Sequence, residues 1–268
     1  MNNYGVRAQG YQGAFGLPRE LFVHETHNLL ASNAGGEQSP VLTQKSANVL
    51  TQHANGTFSA STMGVRPLKD VVRALRRTAK KHAIRGGRCS GLSSKLPRSK
   101  YFSISATLSS VQGPAGFVVR ASADGQERTT VTYDPGAHTI SVDRSKSSLI
   151  GKFANFTASG HYYAPLVKPG KGKAERVERE PVRLTVFVDN SLIEVFANDR
   201  FALTARVYPT KGDAEGMALH GADDACFEDV RVYTDIQSVW PDRPADSSSR
   251  LVWDGPKMTG NYTWWSGW

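Results

Sequence analysis

The 268-residue sequence predicts an all-β chain whose main body is a two-sheet antiparallel sandwich. Three observations carry this. From Tyr101 onward, apolar and polar residues alternate in short runs, as half-buried strands do. The runs are joined by tight polar turns such as Asp134-Pro135-Gly136, Asp189-Asn190-Ser191 and Asn198-Asp199. No helical period falls between these runs, which argues against parallel βαβ units.

The elements follow in order. Residues 1–25 read as a glycine-punctuated loop (Gly10, Gly13, Gly16) leading into a strand at Leu21-Phe22-Val23. Residues 26–99 read as a connection, polar at first, with short strands at Val41–Thr43 and Thr57–Ser61. Leu68, Val71, Val72, Leu75 and Ala79 then follow helical spacing, which predicts one amphipathic helix over about 68–82, opened by Pro67 and stopped before Gly86-Gly87. Residues 100–233 form the sandwich. Its strands are Tyr101–Ser109, Gly116–Ala123, Glu127–Tyr133, His138–Asp143, Val182–Val188, Leu192–Ala197, Phe201–Tyr208, Met217–His220 and Cys226–Tyr233. A Gly-, Lys- and Pro-rich stretch over about 144–181 is expected to be a long loop. Residues 234–268 read as a C-terminal tail ending in Trp264, Trp265 and Trp268.

Composition narrows the function classes. Hydrophobic residues are 39% and charged residues 21%, an ordinary globular mixture. No window approaches the roughly 18 apolar residues of a membrane span, so no membrane partner is expected. The net charge of +9 is local: residues 66–100 hold twelve Lys/Arg against Asp70 alone. Few aromatics accompany this stretch, and its helix has an apolar face, so a solvated basic face is expected rather than nucleic acid as a partner. Two cysteines, Cys89 and Cys226, exclude a disulfide-rich scaffold and are either a candidate disulfide or two buried thiols. The seven histidines are scattered, so neither a metal site nor any other cofactor is expected. No G-x-S-x-G is present. Asn55, Asn155 and Asn261 each open an Asn-X-Thr tripeptide, the form of an N-glycosylation acceptor. The first residues have neither a basic nor an apolar region of the kind that makes a signal peptide.

The run Val182–Thr210, VRLTVFVDNSLIEVFANDRFALTARVYPT, resembles the signature of the C-terminal β-sandwich of glycoside hydrolase family 32, the invertases, inulinases, levanases and fructosyltransferases. The matching elements are Phe187-Val188-Asp189, Ser191, Ile193-Glu194-Val195-Phe196, Asn198-Asp199 and Arg206–Pro209. Gly10–Val23 resembles the last strand of that family's five-bladed N-terminal propeller, and Met63–Leu68 resembles the linker of fungal members. The resemblance therefore implies a remnant propeller strand in 1–25, a linker in 26–99 and the sandwich after it. It also implies a secreted parent enzyme that hydrolyses O-glycosyl bonds in sucrose or fructans. There an Asp nucleophile and a Glu acid/base act in N-D-P-N-G, R-D-P and E-C contexts within the propeller.

None of those three patterns occurs in this sequence. The expectation is therefore no catalytic residue, no hydrolysis by this chain alone, and the absent propeller as its partner. The chain then reads as a truncated gene model, a pseudogene product or one part of a split protein. The Gly10–Val23 strand is expected to be unpaired, or paired in a non-native way. Glu194, Asp189 and Asp199 are most simply a mid-strand acid and two turn acids. The resemblance implies that Arg19 and Glu20 either support the parent enzyme's sugar site from behind or pair with neighbours at the propeller–sandwich junction, and neither is expected to be catalytic. A carbohydrate-binding module without chemistry is the alternative, with Trp264, Trp265 and Trp268 as candidate stacking platforms for fructan or sucrose.

Overall fold

The computed structural model describes residues 14–31, 49–84, 96–109, 112–154, 156–167, 177–222 and 225–237. Gly16–Gln237 make one compact unit. Its described residues are all-β with two short helices, and their strands form three antiparallel sheets rather than two.

The chain enters through β1 (Arg19–Leu29), β2 (Val49–Gln52) and β3 (Phe58–Pro67). Helix α1 (Lys69–Thr78) and strand β4 (Lys80–Ala83) follow. The sandwich strands begin with β5 (Tyr101–Ser109), β6 (Ala115–Ala121), β7 (Thr129–Asp134) and β8 (Thr139–Asp143). Then come helix α2 (Gly151–Ala154), β9 (Ala158–His161), β10 (Leu166–Val167) and β11 (Glu178–Arg179). The chain continues with β12 (Val182–Asp189), β13 (Leu192–Ala197), β14 (Phe201–Arg206), β15 (Gly216–His220) and β16 (Cys226–Thr234).

Two of the sheets are the sandwich: a six-stranded one in the order β14-β13-β12-β5-β16-β4 and a five-stranded one in the order β15-β6-β7-β8-β9. Alternation decides which side chains meet between them. In β12, Val182, Leu184, Val186 and Val188 point into the core, opposite Leu108, Ala106, Ile104 and Phe102 of β5. Phe117, Val119, Val131, Tyr133, Ile140 and Val142 supply the facing layer.

The third sheet, β11-β10-β1-β3-β2, is the correction to the two-sheet expectation. β1 runs antiparallel to β3 from Arg19 opposite Pro67 to Leu29 opposite Phe58, so the N-terminal strand has a partner inside the chain. Two strands from the stretch expected to be a loop, β10 and β11, extend this sheet, and a third, β9, joins the sandwich. These pieces have two to four residues, too short for alternation to declare itself. Helix α1 is also shorter than its apolar spacing suggests. It ends where Ala79 turns extended, and Lys80–Ala83 instead adds an edge strand beside β16. The expected strand at Val41–Thr43 lies outside the described residues.

Candidate functional site

The signature strand β13 is buried along its whole length, although alternation gives a strand two faces. Ile193, Val195 and Ala197 belong to the core. Leu192, Glu194 and Phe196 therefore face outward and must be covered by something else. The cover is the segment leading into β1. The Leu17 amide donates to Glu194 Oε2 at 2.7 Å, and Arg19 Nη2 donates to Glu194 Oε1 at 3.0 Å. Arg19 also donates to Thr204 Oγ1, and its guanidinium lies 5.4 Å from the centre of the Phe196 ring. Gly16 is needed for the approach: a Cβ there would stand 2.8 Å from Glu194 Oε1.

The rest of this outer face is covered by α1. Strand register places Glu194, Phe187, Ser103 and Tyr233 in one row across β13, β12, β5 and β16. Small Ser103 leaves room between two rings, and Arg76 of α1 lies over both, 5.6 Å from Phe187 and 4.7 Å from Tyr233. Phe187 meets Phe196 edge-on at 6.2 Å. Arg76 is thus packed against the sheet and is not part of a solvated basic face, and burial lowers its pKa. Exposed Arg73 pairs with Asp70 at 2.9 Å.

The Asn198-Asp199 turn joins the sandwich to the linker sheet. Both residues have positive φ, 43° and 55°, the left-handed conformation that Asn and Asp tolerate, in the three-residue loop 198–200 between β13 and β14. Asn198 accepts from the Arg183 amide at 2.7 Å and donates to the Pro181 carbonyl at 3.0 Å. Asp199 pairs with Arg183 at 2.9 Å, and its carbonyl accepts from the Val65 amide of β3 at 2.8 Å. The next residue, Arg200, holds Glu180 with both terminal nitrogens and donates to the Tyr163 carbonyl at 3.2 Å. Its guanidinium lies over Tyr162 at 5.0 Å.

Chemically this is a clamp. Glu194 and Asp199 each hold an arginine, and three strand steps from Glu194 to the end of β13 already span about 10 Å. A retaining glycosidase needs its two carboxyl groups about 5.5 Å apart. Arg19 joins the clamp directly, while Glu20 sits apart and pairs with Arg66 at 2.9 Å. That ion pair holds the Glu20 carboxyl below its ordinary range. Arg19→Ala should lower unfolding free energy by roughly 2 kcal/mol, because Glu194 would stay buried with one donor fewer. Urea unfolding with fluorescence detection measures this, and Arg19→Lys should recover part of the loss.

A second buried carboxylate, Glu127, was not singled out by its sequence position. It is fully inaccessible and accepts from the amides of Leu149, Thr210 and Lys211 at 2.8 Å each and from Thr210 Oγ1 at 2.7 Å. Burial alone would raise its pKa, but these donors outweigh it and the net shift is downward.

Of the other residues named above, Cys226 is buried at the start of β16. Cys89, Asn155, Asn261, Trp264, Trp265 and Trp268 lie outside the described residues. Asn55 sits in the turn between β2 and β3. His27 and His53 converge on Ser59 Oγ at 2.9 and 2.6 Å. Among the described residues no three His, Cys, Asp or Glu side chains form a metal-binding group, and no helix is long and apolar enough to cross a membrane.

The outer face of the linker sheet is uncovered. Leu21, Val23, Met63 and Val49 are 66%, 73%, 68% and 70% exposed. Val23 lies opposite Met63, and Val49 lies opposite Ser61 one step along the same face. Four large apolar side chains together on one sheet face form a contiguous patch.

Comparison with known proteins agrees with this architecture. An extracellular exo-inulinase of Aspergillus ficuum is 39% identical over 124 residues, which are 46% of this chain and 21% of that protein. A fructosyltransferase from A. japonicus superposes with a TM-score of 0.73 at 25% identity, covering 89% of this chain and 38% of that one. A β-fructofuranosidase of Aspergillus kawachii, complexed with glycerol, gives 0.73 at 26%, covering 90% and 40%. The chain thus spans well under half the length of these relatives. Residues 71–234 match the family model described as glycosyl hydrolases family 32 C terminal, and the chain belongs to that family through its C-terminal domain.

Proposed function

We propose that this chain is the non-catalytic C-terminal module of a secreted β-fructofuranosidase-like enzyme, built to pack against a catalytic propeller and hold it in place. The observation that carries the reading is the uncovered apolar face of β1, β2 and β3. The docking partner is the family's N-terminal propeller, because β1 and β3 precede the matched domain and lead toward the part that the longer relatives add. The relatives named above act, by their names, on inulin or as fructosyl-transferring and fructofuranosidase enzymes, so sucrose and fructans are the substrate class of the parent enzyme. Residues 1–25 would carry the junction with that propeller, with β1 on the docking face, and the module's own acids serve packing.

The purified chain, incubated with sucrose, inulin or levan, should release no fructose above a vector-only control. Release above that control would overturn the reading. Calorimetry with inulin and levan separates the alternative: saturable binding without hydrolysis would instead make the chain a carbohydrate-binding module.

A further inference from the structure

We propose that Asn55 carries an N-linked glycan and that the polar end of the linker sheet is its attachment surface. Asn55 lies at the tip of the turn between β2 and β3, which is closed by the His53 amide–Thr57 carbonyl pair at 2.9 Å. Gly56, at φ 77°, supplies the left-handed residue of this turn. A Cβ on Gly56 would meet nothing within 4 Å, so the space around the tip is open.

The side chain is already oriented for modification. Its Oδ1 accepts from the Thr57 amide at 3.1 Å and from Thr57 Oγ1 at 2.8 Å. The amide donor fixes which end of the carboxamide faces inward, because only the oxygen can accept. Nδ2 is therefore the free end. Glycosylation forms a bond from Nδ2 to the anomeric carbon of a lipid-diphosphate-linked oligosaccharide. The anomeric C–O bond breaks, the lipid diphosphate leaves and one amide proton is lost. Oδ1 takes no part, so both hydrogen bonds survive and the fold is unchanged.

The surroundings suit a hydrophilic chain. His27, His53 and Ser59 form the polar end of the sheet. From Phe58 the strand rises about 10 Å to Ser61, opposite Val49, and about 17 Å to Met63. A glycan on Asn55 thus starts at the end of the sheet beyond the apolar patch of Leu21, Val23, Val49 and Met63.

The test is secretion of the full chain from a yeast behind a heterologous leader, followed by peptide mass mapping with and without peptide N-glycosidase. The leader supplies the secretory route, so the outcome does not depend on whether the chain docks on a propeller. The Asn55 peptide should carry a glycan, which the enzyme removes to leave Asp. Asn55→Asp keeps the inward oxygen and should lose one glycan from the intact mass without a change in melting temperature. Thr57→Ser should retain it. A secreted, folded chain whose Asn55 peptide is unmodified would overturn the proposal, as would a glycan lost equally in Thr57→Ser.

Discussion

Glu127→Ala should lower the unfolding free energy by roughly 4 kcal/mol, about 10 °C in melting temperature for a domain of this size. The carboxylate is fully inaccessible and takes four donors, three of them backbone amides from two separate loops. An alanine leaves these amides buried without acceptors, and each such group costs about 1–3 kcal/mol. The same residue gives a pH signature. Its folded pKa lies below the unfolded value, so its contribution is complete above the ordinary glutamate range, near pH 4.3. It is lost as pH falls from there through the lower folded value. Asp124, beside Lys211, and Glu20, beside Arg66, are shifted in the same direction and add to this acid limb. Urea midpoints at pH 6 and pH 3.5 should therefore differ less in Glu127→Gln than in the natural chain. Equal acid sensitivity in both would show that Glu127 is not the linked group.

Val188→Asp is expected to be comparably severe. Val188 is buried in the core, between Ile193 on β13 and Phe102 on β5. A carboxylate there would have no partner and must either ionise in an apolar interior or be protonated at neutral pH, at a cost of several kcal/mol. Val188→Thr, with nearly the same shape, should cost about 1–2 kcal/mol, because its hydroxyl meets no acceptor. The graded pair separates burial from loss of volume. Unchanged melting in Val188→Asp would place this residue on the opposite face of β12.

The sandwich was legible because its strands are long enough to alternate. Tyr101–Ser109 and Leu192–Ala197 coincide with β5 and β13, and the turn residues at 190, 198 and 199 adopt the positive φ their types favour. Alternation alone, however, assigns Phe187, Glu194 and Phe196 to solvent. They are buried because α1 and residues 16–19 return to cover them, and such a long-range return leaves no local periodicity. The linker sheet was missed for a related reason. β2 has four exposed residues, β10 and β11 are only two residues long, and β10 joins the sheet through Val167 opposite Leu29, 138 positions away. Glu127 gave no sign because its ligands are backbone amides, which every residue but proline possesses. The clamp was half visible: Arg19 and Glu194 were both notable, yet nothing in their spacing of 175 positions joins them.

The linker sheet also constrains how this polypeptide must be synthesised. β1 and β3 can zip together as soon as residue 67 is made, but β10 and β11 emerge only about a hundred residues later. Until then one border of the ribbon has no neighbour, and Glu194 has not yet been translated to receive Arg19. High contact order of this kind slows folding and lengthens the interval in which a nascent chain can associate wrongly. A recombinant version cut back to residues 71–234 would remove β1, β2 and β3 together, stranding β10 and β11 without a template.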